Sequence, residues 1–288
     1  MNGILLVNKQ ENMTSRDVVN EVCKIFNTKK VGHTGTLDPM AKGVLVLALG
    51  TSLKIVNNIT CLDKEYITKI TLGIKTDTLD NTGKIISKEK INNIDVKQID
   101  KVLNSFLGDY HMQVPLYSAV KVNGKKLYEY ARNNIKVELP YKDVKIYEIE
   151  RISDLIYEND KISFKFKCKV SKGTYIRSLI NDIAKKLNTI GIMSELTRIK
   201  QGKFSIEDCY TLEDIKNGKY KLLNMKDVID LPIIKITDDV YKKVKNGMKL
   251  ENNYDYEEFC FEYNDNIIAI YKQEDNYVKP VRVFNTEI

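Results

Sequence analysis

The sequence predicts an α+β fold with a small β-rich domain at its C-terminal end. Strand-like and helix-like patterns are mixed through the first 232 residues, and three short strand-like runs follow, EFCFEY, NIIAIY and KPVRVF. The chain has 288 residues, of which 43% are hydrophobic, which is enough for a substantial core. We therefore expect two domains, residues 1–232 and 233–288, with LPII at 231–234 as the linker.

The first elements of the larger domain are a strand, a helix and two further strands. ILLVNK is an apolar strand-like run, and Thr14 to Asp17 has the form of a capping box before a helix with apolar residues at helical spacing. VLVLALG and KEYITKITLGIKTDT are rich in apolar and β-branched residues, as strands are. After the turn DNTG, KIISKEK predicts one more strand.

The later elements have the clearest patterns. IDVKQIDKVLNSFLG predicts a helix that Gly108 ends. KISFKFKCKV alternates strictly between apolar residues on one face and polar residues, mostly lysines, on the other, which is typical of a half-buried strand. TYIRSLINDIAKKLN then has helical spacing, so Arg177 lies in the first helical turn, just after a strand.

The charge balance favours a polyanionic partner. The net charge is +7, and it is uneven, because residues 1–232 hold 38 basic and 28 acidic side chains whereas residues 233–288 hold 8 and 11. A solvated lysine-rich surface would give the same balance. No apolar run approaches the roughly 18 residues of a membrane span, and the N-terminus has no basic leader. We expect a cytoplasmic protein with no membrane partner.

The cysteines and histidines predict neither a metal site nor a disulfide framework. No C-x-x-C pair occurs, and the only histidines, His33 and His111, are not near any cysteine. We therefore expect no metal and no cofactor, and chemistry that uses carboxylates, tyrosines, lysine or arginine. The five cysteines, expected to be reduced thiols, are Cys23, Cys61, Cys168, Cys209 and Cys260.

The stretch VGHTGTLDPMAKGVL, residues 31–45, is the first candidate for chemistry. Pro39 disfavours the helical conformation at Asp38, so this carboxylate is held on an irregular loop, as a catalytic acid would be. In isolation an ordinary Asp-Pro turn has the same sequence. A standard phosphate-binding loop is excluded, because G-x-x-x-x-G-K-[ST] does not occur.

Residues 111–145 are a candidate RNA-binding segment. They contain seven lysines or arginines and three acidic residues, interleaved with tyrosines. Cations bind phosphates and flat rings stack on bases, although a basic amphipathic hairpin without a ligand has the same pattern. The candidate contacts are Tyr117, Lys121, Lys125, Lys126, Tyr128, Tyr130 and Arg132.

Five motifs, in this order, resemble those of the bacterial TruB-type tRNA pseudouridine synthases: GHTGTLDPMAKGVL, KEYIT, LGIKTDTLDNTG, VPLYSAVKVNGKKLYEYAR and SKGTYIRSL. The resemblance covers about residues 7–198. It implies a pseudouridine synthase fold, with a central, mostly antiparallel mixed sheet flanked by helices, and a C-terminal domain similar to the RNA-binding PUA type. The implied reaction detaches uracil from its ribose, turns it and rejoins it through carbon, at position 55 in the T loop of tRNA. Nothing in the sequence requires more than a monomer.

The resemblance also implies roles for single residues. Asp38 matches the catalytic aspartate, Arg177 the arginine that keeps it ionised, and Asp80 the acid that holds this arginine. Tyr66 matches the tyrosine that stacks on the flipped base and helps to move its C5 proton. Residues 111–145 match a thumb that closes on the T arm. The other implied substrate contacts are His33, Tyr175 and Leu196.

One motif departs from the family pattern, and two other functions remain open. The usual K-P-x-G-x-T-S reads KQENMTS here, and Asn12 replaces glycine, which it can do because asparagine tolerates a left-handed backbone. A guide-RNA-dependent synthase acting on ribosomal RNA shares the catalytic motifs, but it usually has a fuller PUA domain and basic tails. A catalytically silent tRNA-binding or tRNA-folding protein would have no reason to keep Asp38, Tyr66 and Arg177. The sequence leaves open whether Asp38 attacks the sugar, attacks the base or accepts a proton.

Overall fold

The structure, a computed structural model, describes residues 1–91 and 93–284. Residues 285–288, which belong to the predicted C-terminal domain, lie outside the described residues, as does residue 92. The α-helices are α1 (Ser15–Ile25), α2 (Val56–Thr60), α3 (Val96–Asn104), α4 (Leu127–Arg132), α5 (Ile176–Lys186), α6 (Leu212–Lys216) and α7 (Asp238–Lys245). The strands are β1 (Gly3–Lys9), β2 (Val31–His33), β3 (Lys42–Leu49), β4 (Lys64–Leu72), β5 (Ile74–Thr76), β6 (Ile85–Lys88), β7 (Gly108–Gln113), β8 (Lys121–Val122), β9 (Lys125–Lys126), β10 (Tyr141–Arg151), β11 (Ile156–Glu158), β12 (Lys161–Val170), β13 (Gly191–Gln201), β14 (Phe204–Ser205), β15 (Ile233–Lys235), β16 (Leu250–Glu251), β17 (Glu258–Tyr263), β18 (Asn266–Glu274) and β19 (Tyr277–Val283).

Ten strands form one mixed sheet, which confirms the predicted architecture. Its main order is β1-β3-β13-β4-β12-β10-β7, with β2 beside β3, β11 beside β12 and β14 beside β13. Among its strand pairs within the described residues, β3 and β13 pair in parallel, and the other pairs are antiparallel. The parallel contact brings Gly43 opposite Arg198. A Cβ added to Gly43, whose φ is +103°, would lie 2.2 Å from the Arg198 carbonyl oxygen, so only glycine allows this approach.

Helices α1, α3 and α5 cover one face of the sheet and form the main core with β4 and β12. The predicted capping box begins α1, where the Thr14 side chain accepts from the Asp17 N–H and Asp17 accepts from the Thr14 N–H. Asn12, just before it, has φ 64°, the left-handed conformation expected where the family has glycine. These helices position the loop of residues 34–41 and the start of α5 at one edge of the core.

The C-terminal region is β-rich, as predicted. Its five-stranded sheet has the order β15-β17-β18-β19-β16, and an apolar cluster that includes Ile270 and Phe284 packs it against Ile4 and Val44 on the opposite face of the large sheet. The prediction that 231–234 is only a linker was wrong in part, because Ile233 begins β15, which pairs in parallel with β17. Local sequence patterns do not show such a pairing, since the partner strand lies far along the chain. Among the described residues, no helix combines the length and the apolar character needed to span a membrane.

Candidate active site

A cavity of about 560 Å³ lies where the loop after β2, strands β4 and β13, and the start of α5 meet. This volume falls within the usual range for a small-molecule or nucleoside pocket. Seven of the residues that the sequence predicts for the site line the cavity: Asp38, Tyr66, Tyr117, Tyr128, Tyr175, Arg177 and Leu196.

The loop that carries Asp38 is fixed by buried hydrogen bonds. The ammonium group of Lys9 donates to the carbonyl oxygens of Met13, at 2.7 Å, and Pro39, at 3.2 Å. The Ser15 hydroxyl accepts from the Leu37 N–H at 2.9 Å. Burial lowers the pKa of Lys9 from 10.5 to about 8, against the raising effect of the Asp38 carboxylate. The loop therefore presents Asp38 in a defined position.

Arg177 pairs with Asp38 through one hydrogen bond and one further ionic contact. Its Nε lies 3.0 Å from Asp38 Oδ2, and its Nη2 donates to Asp38 Oδ1 at 3.2 Å. The arginine side chain is only 6% exposed whereas that of Asp38 is 31% exposed, so the carboxylate faces the cavity and the guanidinium lies behind it. A paired guanidinium favours the ionised form of a carboxylate.

Asp80 also approaches the Nε of this arginine. Its Oδ2 is 4.0 Å from Arg177 Nε, and its Oδ1 accepts from the hydroxyls of Thr78 and Thr82, both at 2.6 Å. The chain reaches this position through Leu79, which has φ 64°. The structure therefore brings the two carboxylates of Asp38 and Asp80 together around the Arg177 guanidinium.

Arg177 also contacts the base of the segment 111–145. Its Nη1 donates to the Thr78 carbonyl oxygen at 3.1 Å, and its Nη2 donates to that of Tyr117 at 3.0 Å. The Tyr117 hydroxyl in turn donates to Asp77 at 3.3 Å. One buried side chain thus joins the acid loop, the Asp80 turn and the candidate RNA-binding segment.

Two tyrosines supply flat walls to the cavity. Tyr66 on β4 is 8% exposed, and Tyr175 precedes α5. Burial raises the pKa of both phenols, and at Tyr66 the charge of Arg198 opposes this increase. Leu196 adds an apolar surface.

His33 and most of the segment 111–145 lie elsewhere. His33 belongs to β2 and is not part of the cavity wall; its buried Nδ1 has no hydrogen-bond partner among the described residues. Burial lowers its pKa, helped by Arg16 and Arg198. The segment forms a β8–β9 hairpin followed by α4. The hairpin carries Lys121, Lys125 and Lys126, and α4 carries Tyr128, Tyr130 and Arg132.

Sequence reasoning missed four cations of the cavity wall: Lys64, Lys142, Lys172 and Arg198. Lys64 donates to the carbonyl oxygens of Thr60 and Leu62, both at 2.6 Å, and burial lowers its pKa to about 8. Arg198 could have been found, because it follows Leu196 by two residues and so shares the core-facing side of the strand. An arginine at such a position is unusual.

The cavity therefore belongs to an enzyme-like site, with an ion-paired acid between aromatic walls, on a pseudouridine synthase type of sheet. The family model of the TruB family pseudouridylate synthase N-terminal domain matches residues 23–176, and that of the tRNA pseudouridylate synthase B C-terminal domain matches residues 177–230. The chain belongs to the TruB family of pseudouridylate synthases.

Relatives match along the whole chain. The tRNA pseudouridine synthase B of Bacillus pumilus is 38% identical, over 100% of this chain and 99% of the relative. Those of Caldanaerobacter subterraneus and Staphylococcus saprophyticus are 41% and 43% identical, each over 99% of both chains. Among solved structures, a chain of a Cbf5-Nop10-Gar1 complex has a TM-score of 0.72 and 24% identity, over 98% of this chain and 84% of that chain. The match to this solved structure shows a similarity of fold.

Proposed function

We propose that this chain converts the uridine at position 55, in the T loop of tRNA, to pseudouridine, as a cytoplasmic monomer that needs no cofactor. The observation that carries the proposal is the Asp38–Arg177 ion pair, which presents a fixed carboxylate to a cavity with aromatic walls. Relatives named tRNA pseudouridine synthase B, similar over their full length, support the reaction and the substrate.

The substrate uridine must leave its loop to reach the acid. A base inside folded RNA is stacked and out of reach of side chains, so it is flipped into a pocket that stacks on it and binds its edge. Tyr66 and Tyr175 offer the stacking surfaces, and Leu196 closes the apolar side.

Asp38 then acts on the reacting nucleotide. Breaking the bond between C1′ and N1 leaves the electron pair on N1 and positive charge on the sugar, which an adjacent carboxylate stabilises or bonds to. The base turns, C5 bonds to C1′, the C5 proton leaves and N1 takes up a proton. Attack on the sugar, attack on the base and proton acceptance all require an ionised Asp38. Arg177 supports ionisation, and Asp80 supports Arg177.

The remaining parts of the chain bind the RNA in this proposal. Residues 1–232 form the catalytic domain, in which 111–145 act as the thumb, and residues 233–288 form a PUA-like RNA-binding domain. Exposed lysines of the β8–β9 hairpin contact phosphates, while Tyr128, over whose ring Lys126 and Arg132 lie at 5.4 and 5.3 Å, faces the cavity. His33 contacts the flipped nucleotide or its neighbours from outside the cavity wall.

Tritium release tests the proposal. A tRNA transcript labelled at C5 of uridine should lose tritium to water with the wild-type protein and keep it with Asp38→Asn, which should still bind the tRNA. Folded wild-type protein that releases tritium from no tRNA transcript would refute the reaction. Release without guide RNA or partner proteins separates this function from that of a guide-dependent synthase.

A comparison of tRNA folding separates the third function. A protein that only binds or folds tRNA would act equally well in its wild-type and Asp38→Asn forms, and neither would form pseudouridine.

A further inference from the structure

Arg198 is a buried cation that has no counter-ion among the residues that the structure describes. Its residue is 1% exposed, and its side chain is one of the largest in the structure that are fully buried. None of the ion pairs within residues 1–91 and 93–284 includes Arg198. Its Nε donates to the Val44 carbonyl oxygen at 2.7 Å, and its Nη2 donates to the Gly35 carbonyl oxygen at 3.1 Å. Isolated buried charges are costly and rarely kept without a role.

The position of Arg198 relates it to Tyr66. The two residues are direct partners across β13 and β4, both are buried, and both line the cavity. The positive charge of Arg198 also lowers the pKa of two nearby lysines, Lys9 and Lys64, in addition to their burial. This part of the cavity wall therefore carries two cations, Lys64 and Arg198, that form no ion pair among the described residues.

We propose that Arg198 is a positioning residue for Tyr66, whose phenolate oxygen it stabilises while that oxygen takes the C5 proton of the rejoined base. The proposal rests on the proposed function, since it assigns one step of that reaction. A fixed cation beside a phenol favours its ionised form, which is the form that can accept the C5 proton.

The proton step balances with water as the other proton carrier. The Tyr66 phenol, whose pKa burial raises, first gives its proton to water, and the charge of Arg198 opposes the effect of burial on this ionisation. After C5 has bonded to C1′, the C5–H bond breaks and its proton goes to the Tyr66 oxygen. The electron pair forms the C5–C6 double bond, the C6–N1 pair moves onto N1, and N1 takes a proton from water. Tyr66 is then the neutral phenol again, as it was before the reaction, and the proton that it gave to water balances the one that N1 took from water.

The other groups near Tyr66 fit this task less well. Asp38 has both carboxylate oxygens on Arg177, and Lys64 donates to two carbonyl oxygens. Cys168, the partner of Tyr66 on β12, is buried, which raises the pKa of its thiol to about 12. Tyr66 with Arg198 is the pair that combines an oxygen in the cavity with an unneutralised charge.

A double-mutant cycle at Arg198 and Tyr66 tests the proposal. Arg198→Met should lower the single-turnover rate about 100-fold, as the loss of one stabilising donor does in other enzymes. Arg198→Lys, which keeps the charge, should recover part of that loss. In the Tyr66→Phe background, Arg198→Met should have almost no further effect, because residues that act through each other are not additive. Equal losses in both backgrounds would show a structural role and overturn the proposal.

The C5 isotope effect reports on the same step. Replacing C5 hydrogen by deuterium should slow Arg198→Met more than wild type, because proton removal becomes rate-limiting; an unchanged isotope effect would contradict the proposal. Arg151→Met, at an arginine paired with Asp100 outside the cavity wall, is the matched control and should leave the isotope effect unchanged.

Two points keep the result unambiguous. If Arg198→Met does not fold, Arg198→Lys is tested instead, with and without 3-fluorotyrosine at position 66. Fluorine lowers the pKa of the phenol, so it should raise the single-turnover rate of Arg198→Lys towards that of wild type. No rise would overturn the proposal. Failure of the proposed function would appear as no pseudouridine with wild-type protein, whereas failure of this inference leaves wild-type turnover intact.

Discussion

Replacement of Arg177 by methionine should destabilise the protein far more than replacement of an ordinary surface lysine. Arg177 is buried between Asp38 and Asp80, and Asp80 is only 4% exposed. Removing one partner of a buried ion pair costs about 3–5 kcal/mol, because a charge remains buried without compensation. We expect the free energy of unfolding to fall by that amount.

Urea denaturation at pH 7 measures this loss. Lys24→Met is the control, because Lys24 and its ion-pair partner Glu21 have side chains that are 72% and 45% exposed, and pairs of such exposed side chains contribute little to stability. Arg177→Met combined with Asp80→Asn should regain part of the stability, since the uncompensated charge is removed. A loss for Arg177→Met no larger than the control, or no recovery in the double variant, would refute the reasoning.

Three further predictions concern RNA binding and the cysteines. Lys125→Ala should weaken tRNA binding at low salt and reduce the slope of log binding constant against log salt by about 1, measured by filter binding, whereas a surface lysine that contacts no phosphate would leave the slope unchanged. Burial raises the pKa of the Cys168 thiol to about 12, so this thiol stays protonated in the folded protein while it ionises near its ordinary value of 9.0 in the unfolded chain. The unfolded state then binds fewer protons, and stability falls as the pH rises from about 9 to 12. Cys168→Ala should make this fall shallower by at most about 1.4 kcal/mol per pH unit, measured by urea denaturation; an identical slope would contradict the assignment. Iodoacetamide should modify exposed Cys61 before buried Cys168 and Cys260, as followed by peptide mass spectrometry; equal rates in the native protein would contradict the burial pattern.

Much of the fold could be predicted from local patterns. The strict alternation of residues 161–170 gave β12, and the helical spacing after Thr174 gave α5 with Arg177 in its first turn. In both elements one face is buried, so apolar residues repeat about every two positions in the strand and about every 3.6 positions in the helix. The parallel contact between β3 and β13 left no such trace, because it depends on which distant strands meet. For the same reason β15 was taken for part of a linker.

The candidate site was predictable where a motif names its residues. The resemblance selected Asp38, Tyr66 and Arg177, and the structure places all three around one cavity. The spacing from Leu196 indicates that Arg198 faces the core, but its place opposite Tyr66 depends on β13 lying beside β4. The contact between Arg177 and the Tyr117 carbonyl oxygen also has no sequence signal, because any residue supplies a backbone carbonyl.

The close approach at Gly43 limits how this protein can be recombined with its relatives. A side chain at position 43 would collide with the backbone at Arg198, so two segments separated by most of the catalytic region share one steric constraint. A chimaera that takes residues 31–45 from one parent and residues 191–201 from another combines two segments whose backbone contact did not evolve together. Exchanging both segments together preserves the fit, and with it the spacing between the acid loop and the arginine beneath it.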